Sequence, residues 1–162
     1  MRRFAFFLSL LLFSGCYYVE PTTYYTPVLI QRSELENSIT YAVPRNVTNP
    51  GKIYTYQNYI FINELYLGVH VINNLNPELP ENIGFITIPG NVDIAIKDNI
   101  LYADNAVDLI TVDLSNMATP TVLSRKRKVF PEPTPPDLGF IPEEFNEANR
   151  PEDTIIIKWE KK

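Results

Sequence analysis

The chain has few of the residues from which active sites and covalent cross-links are built. Its 162 residues include one cysteine, one histidine and six glycines. A single cysteine cannot form an intramolecular disulfide or supply the repeated thiolates of a zinc site. His70 has no second histidine for a metal site and no cysteine to pair with as nucleophile and base. We therefore predict a structural or solvent-facing role for His70, and no metal ion or cofactor.

Several catalytic and binding motifs are also missing. The sequence contains no glycine-rich phosphate loop and no G-x-S-x-G elbow of the kind found in serine hydrolases. The net charge of −5 disfavours nucleic-acid binding, which requires clustered Lys and Arg. The one basic cluster, Arg125-Lys126-Arg127-Lys128, is short. We interpret it as the exposed end of a strand, with a polyanion site as the alternative.

Long apolar runs are absent except at the beginning of the chain. Arg2 and Arg3 precede an uncharged apolar stretch that small residues connect to Cys16. The stretch is shorter than the about 20 residues needed to span a bilayer, and it is typical of a secretory signal peptide. The sequence Phe13-Ser14-Gly15-Cys16 resembles the lipobox of bacterial lipoproteins.

That resemblance implies a signal peptide over 1–15 and an acylated Cys16, which carries palmitate-type chains after cleavage. The expected location is the bacterial cell envelope, with a lipid anchor in the outer membrane. The alternative is a plain secretory signal or N-terminal anchor in which Cys16 is incidental.

Residues 16–50 are predicted to form a tether with one short helix. Two prolines interrupt the tyrosine-rich part of this segment, and Ser33-Glu34-Leu35-Glu36 matches a capping box. Pro44 and Pro50 end any helix that starts there.

Residues 51–130 have the composition of an all-β domain. Short β-branched and aromatic runs, bounded by Asn, Pro or Gly, occur at 53–56, 59–62, 68–72 and 83–88. The layout repeats 40 residues later, which predicts two four-stranded antiparallel units over 51–90 and 91–130. Val71 is expected to be equivalent to Thr111, and Ile62 to Tyr102. This spacing is typical of β-propeller blades.

The run Leu109-Ile110-Thr111-Val112-Asp113 is similar to the signature of the LVIVD repeat, a propeller-like repeat of Bacteroidetes-type surface lipoproteins. The resemblance covers roughly residues 33–129 and implies an incomplete propeller without a defined activity or catalytic residues. A closed propeller needs about 4–8 blades. The chain is therefore expected to be an N-terminal fragment or a short member, and we favour the fragment.

Residues 131–162 are predicted to form a loop rich in proline and acid, followed by a terminal strand. The alternative to a fragment is a compact sandwich of the two units that this strand caps. The apolar residues predicted to cover the second unit are Leu138, Phe140, Ile141, Phe145 and the strand Thr154-Ile155-Ile156-Ile157.

Two sets of side chains allow more than one interpretation. Regularly spaced carboxylates favour turn structure, with calcium binding or acid–base catalysis as alternatives; they are Asp93, Asp98, Asp104, Asp108 and Asp113. Strand aromatics favour packing in the core or on a sheet face, with a carbohydrate-stacking surface as the alternative; they are Tyr54, Tyr56, Tyr59, Phe61, Tyr66, Phe85 and Tyr102.

The sequence predicts a non-enzymatic, membrane-anchored lipoprotein with a binding or scaffold role. Its ligand would be a protein or a glycan, and nucleic acid is excluded as a partner. The alternative is a fragment of a larger propeller hydrolase or glycan-processing enzyme.

Overall fold

The computed structural model describes residues 21–117 and 119–162. Cys16 and the predicted signal peptide lie outside the described residues. The described chain is mainly β, which confirms the predicted fold class. Its elements are β1 (Tyr25–Gln31), α1 (Arg32–Glu36), β2 (Thr40–Ala42), β3 (Pro50–Tyr56), β4 (Tyr59–Glu64), β5 (Gly68–Asn73), β6 (Glu81–Thr87), β7 (Ile94–Lys97), β8 (Ile100–Asn105), β9 (Asp108–Asp113), β10 (Thr121–Lys126), a 3-10 turn (Glu143–Phe145) and β11 (Thr154–Lys161).

Most strands belong to two antiparallel sheets. The first sheet has the order β2-β6-β5-β4-β3, and the second has the order β10-β9-β8-β7. β3 to β6 in the first sheet and β7 to β10 in the second are each neighbours in chain order because their connections are short, and β2 is added at the edge of the first sheet beside β6. Asp98 and Asn99 join β7 to β8 with φ angles of 52° and 61°, the left-handed conformation that a tight type I′ hairpin turn needs.

The two sheets enclose a common apolar core between them. β7, β8 and β9 of the second sheet alternate buried and more exposed residues, so each has one inward face. The adjacent edges of the sheets are also joined, since the Tyr54 hydroxyl in β3 donates to the Ile96 carbonyl in β7 over 3.0 Å. The buried core residues are Phe61, Val69, Val71, Ile86, Ile88, Ile94, Ile96, Leu101, Ala103, Ile110, Val112 and Leu114.

The predicted equivalence of Val71 and Thr111 is wrong by one residue. Val71 pairs with Phe61, while the matching core residue Leu101 pairs with Val112. Three residues, 65–67, connect β4 to β5, but only residues 106–107 connect β8 to β9. The shorter turn shifts β9 by one position, which places Thr111 on the opposite face. Ile62 and Tyr102 do occupy equivalent places, each directly after the matching core residue.

The tether prediction is wrong for two segments of residues 16–50. Residues 25–31 form β1, which pairs with β11, and residues 40–42 form β2, which pairs with the edge strand β6. The predicted short helix is present as α1, but its N-cap residue is Gln31 and no side chain caps it, so the capping-box interpretation of Ser33 is wrong. The predicted terminal strand exists, and its pairing with β1 means that it is not a free strand.

A second, smaller core lies where the β1–β11 ribbon meets the turn between β8 and β9. It contains Leu35, Ala106, Val107 and Ile155, with Ile30 and Ile157 packed against it. The terminal strand therefore covers the end of the second sheet, as the apolar run at 154–157 predicts. Phe145 joins this region through an edge-to-face contact with Trp159, with ring centroids 5.5 Å apart, whereas Phe140 stays 48% exposed.

Within the described residues, no helix combines the length and the apolar character that crossing a membrane requires.

Candidate binding surfaces

An open groove of about 370 Å³, here called the apolar groove, lies on the outer face of the second sheet. Its floor includes Ala95, Tyr102 and Leu109, and its opposite wall comes from the segment after β10 and from β11. Several of its apolar side chains are partly exposed, including Tyr102 at 36% and Phe130 at 39%. The remaining lining residues are Tyr66, Gly90, Val92, Asp93, Ile94, Ala103, Asp104, Ala106, Pro131, Pro133 and Ile157.

Hydrogen bonds hold the wall of the apolar groove in place. The backbone N–H of Phe130 donates to the Val107 carbonyl over 2.9 Å. The Trp159 indole N–H in β11 donates to the Pro133 carbonyl over 2.8 Å. The proline-rich segment is thus fixed at two points.

Two carboxylates line the apolar groove, and one of them organises a turn. Asp104 Oδ1 accepts from the backbone N–H of Asp93 at 2.8 Å and from the Asn91 side chain at 2.7 Å, and Oδ2 accepts from the Val92 N–H at 3.0 Å. Burial raises the pKa of Asp104 above its usual value. The backbone hydrogen bonds act in the opposite direction but do not outweigh burial. Asp93 forms an exposed ion pair with Lys52 at 2.7 Å. This arrangement fits the predicted turn role of the two carboxylates.

The other carboxylates of the series are also structural. Asp98 lies in the turn between β7 and β8. Asp113 accepts a hydrogen bond from the Ser115 N–H at 2.8 Å, and hydrogen bonding with Ser115 lowers the pKa of Asp113. Within the described ranges, no group of three or more His, Cys, Asp or Glu side chains is placed to hold a metal ion.

Asp108 explains why the basic cluster is only partly exposed. Its side chain is fully buried and lies 2.6 Å from Arg32 and 2.9 Å from Arg125. The expectation of an exposed cluster is wrong for Arg125, whose side chain is 13% exposed. Arg127 and Lys128 are exposed and pair with Glu36 and Glu147. The ion pairs of Asp108 with Arg32 and Arg125 were not predicted from the sequence, because the partners are far apart along the chain.

His70 is structural, in agreement with one of the two predicted roles. It is fully buried, its Nε2 lies 3.0 Å from Glu64 Oε2, and its ring meets Phe85 edge-on at 4.8 Å. Glu64 also accepts hydrogen bonds from the Thr48 hydroxyl and from the Asn49 N–H. Burial by itself raises the pKa of Glu64, but the hydrogen bonds from Thr48, His70 and Asn49 outweigh it and lower the pKa to about 2.

The predicted aromatic set does not form one surface. Phe61 and Phe85 are buried. Tyr54 and Tyr56 pack against the main core and hydrogen-bond across to the second sheet. Tyr66 and Tyr102 face the apolar groove, whereas Tyr59 lines a different opening.

That opening, here called the polar cleft, is about 600 Å³ and lies at the end of the sandwich where the turns at 57–58 and 98–99 approach residues 114–117. Among the described residues, its lining carries amides, hydroxyls and apolar groups but no ionisable acid or base apart from two tyrosines. The lining residues are Tyr41, Gln57, Tyr59, Ile83, Asn99, Leu114, Ser115, Asn116 and Met117. They come from strands β2, β4 and β6 and from turns far apart along the chain, and this set gave no functional signal in the sequence.

Comparisons with family models, with curated proteins and with solved structures give no match for this chain. The resemblance to the LVIVD repeat thus stays a prediction that rests on the residues that carry it.

Proposed function

We propose that the chain is a membrane-anchored envelope lipoprotein that binds a partner protein through the apolar groove. The single observation that carries the binding role is the groove itself, which leaves Tyr102 on its floor and Phe130 in its wall partly exposed. A concave apolar surface with a few polar groups at its edge is typical of binding sites. The anchor rests on the lipobox that ends at Cys16.

The proposal includes a propeller-like, LVIVD-type architecture. Two consecutive antiparallel meanders, joined through their facing surfaces, and the 40-residue offset between the equivalent core residues Phe61 and Leu101 support it. The run Leu109–Asp113, which is similar to the LVIVD signature, lies within β9 and adds sequence support to this part of the proposal.

The anchor is tested by labelling cells with palmitate and partitioning the protein into a detergent phase. We expect the wild-type protein to be labelled and to enter the detergent phase. Cys16→Ser is expected to lose the label, because the thiol is the acceptor of the lipid. An unlabelled wild-type protein in the aqueous phase contradicts the anchor.

The binding role is tested by photo-crosslinking in intact cells. A photoreactive phenylalanine at Tyr102 is expected to give a discrete adduct with one partner, identified by mass spectrometry. The same probe at Phe140 is the control, because that side chain is 48% exposed and does not line the groove. Identical adducts at both positions, or none at Tyr102, contradict the proposal.

A hydrolase is the second candidate, and one observation favours it. Asp93 and Asp104 both line the apolar groove, and the raised pKa of Asp104 is a property that a general acid needs. Hydrolysis of a glycan or peptide panel that Asp104→Asn abolishes, with the fold intact by circular dichroism, would replace the binding role with an enzymatic one.

A further inference from the structure

We propose that the polar cleft is a second binding site, specific for a neutral oligosaccharide. It is separate from the apolar groove, since the two openings share no lining residue. The proposal rests on the chemistry of the polar cleft and does not depend on a partner protein in the groove.

The polar cleft offers amide groups that are already oriented. Asn99 Oδ1 accepts from the Gln57 side-chain N–H at 3.1 Å and from the Tyr56 hydroxyl at 3.3 Å, and the Asn99 backbone N–H donates back to that hydroxyl at 3.0 Å. Among the described residues, the Asn99 side-chain nitrogen and the Gln57 side-chain oxygen form no hydrogen bond. They remain as one donor and one acceptor for a ligand whose hydroxyls can do both.

Two tyrosines supply both stacking surface and hydroxyl groups. The Tyr41 hydroxyl donates to the Ile83 carbonyl at 3.2 Å, which leaves its oxygen able to accept. Burial and the nearby Tyr59 raise the pKa of Tyr41 above its usual value. An aromatic ring that carries a polar group suits a ligand with alternating C–H faces and hydroxyls.

The absence of charge in the lining decides the class of ligand. Among the residues that the structure describes, no Asp, Glu, Lys, Arg or His lines the polar cleft. An ionised ligand that enters such a site loses water without gaining a counter-charge, which is costly. A neutral polyhydroxylated chain exchanges its water hydrogen bonds for amide and phenol partners. Met117, which is only partly buried, adds apolar contact for its C–H groups.

The test is calorimetric titration of the full-length protein in detergent micelles with three neutral hexaoses, namely maltohexaose, cellohexaose and the hexamer of N-acetylglucosamine. We expect binding of at least one of them, and none of hexagalacturonate. Gln57→Gly is expected to weaken binding about tenfold, and Tyr59→Phe about fivefold, as the loss of one hydrogen bond implies. Glycine suits the φ of 53° at position 57, so this variant should keep its fold.

Tyr102→Ser in the apolar groove is the matched control and should leave the dissociation constant unchanged. The inference is overturned if none of the neutral hexaoses binds, if hexagalacturonate binds equally well, or if only Tyr102→Ser weakens binding. The last result would place the sugar in the apolar groove. None of these results affects the crosslinking test at Tyr102, so the two proposals fail separately.

Discussion

Arg125 and Asp108 form an ion pair inside the protein, with Nη1 and Oδ2 2.9 Å apart and the Asp108 side chain completely buried. Arg125 also donates to the Asn105 side chain at 2.7 Å and to the Leu35 carbonyl at 3.2 Å. It therefore ties β10 to the turn after β8 and to the helix α1. Arg32 contacts the same carboxylate from the other side, so two cations depend on one buried anion.

Asp108→Ala is expected to lower the free energy of unfolding by about 3–5 kcal/mol, because it leaves two largely buried guanidinium groups without their counter-charge. Urea denaturation measures the change. Lys52→Ala is the control. It breaks the exposed pair with Asp93, and we expect a loss below about 1 kcal/mol. Equal losses in the two variants would contradict the structural role assigned to Asp108.

Glu64 predicts a pH dependence of stability. Its pKa in the folded protein is lowered to about 2 from the ordinary value of 4.5, so its contribution is fully present above about pH 5 and is lost as the pH falls towards 2. Glu64→Gln should be less stable than wild type at neutral pH by an amount on the order of 3 kcal/mol, since one pKa unit corresponds to about 1.4 kcal/mol.

Urea denaturation of wild type and Glu64→Gln between pH 7 and pH 2.5 follows this difference. The two proteins are expected to converge in stability at acid pH. A difference that is independent of pH would show that the Glu64 carboxylate is not the titrating group.

The backbone geometry at Gly68 predicts that any side chain at this position would strongly destabilise the protein. Its φ is +144°, and a Cβ added there would lie 2.0 Å from the Ile86 carbonyl oxygen in the neighbouring strand. Gly68→Ala should therefore lower the melting temperature sharply, with a loss above about 3 kcal/mol. Gly139→Ala is the matched control, since an added Cβ there meets nothing within 4 Å. Thermal unfolding of both variants decides the point, and a Gly68→Ala protein as stable as Gly139→Ala would contradict the strand geometry.

Deleting residues 130–162 is expected to cause self-association. The deletion removes β11, which leaves β1 unpaired and uncovers Leu35 and Val107 in the second core. An unpaired edge next to exposed apolar surface promotes aggregation. Light scattering of the shortened and full-length proteins measures the effect, with Phe140→Ser as a control that should stay unchanged. A shortened protein that remains monomeric, with the same thermal stability, would show that the tail is dispensable.

The strands β3 to β10 could be predicted because each carries its own local signal. Runs such as Tyr59–Ile62 are rich in β-branched and aromatic residues, and turn residues such as Asp98 and Asn99 mark their ends. The register of β9 was harder to predict from the sequence. The turn at 106–107 has one residue fewer than the turn at 65–67, and this shifts β9 relative to β5. A repeat period counted along the sequence does not detect such a change.

The elements that sequence reasoning missed depend on distant partners. β1 contains Pro27 and has no clean alternation, and it becomes a strand because β11 pairs with it from more than 120 residues away. Proline is tolerated there because each strand of a two-stranded ribbon is an edge. The position of Arg125 beside Asp108 depends in the same way on tertiary packing. The binding surfaces were not predictable because each brings together strands, turns or the proline-rich segment from distant parts of the chain.

The ribbon of β1 and β11 and the polar cleft lie at opposite ends of the second sheet. It packs at the turn 106–107, whereas the polar cleft opens at the turn 98–99, at the other end of β8. The six residues of β8 separate these ends by about 20 Å, at about 3.3 Å per residue. In the lipoprotein proposed above, the anchored segment would join the fold through this ribbon, which leaves the polar cleft at the end of β8 that the ribbon does not cover.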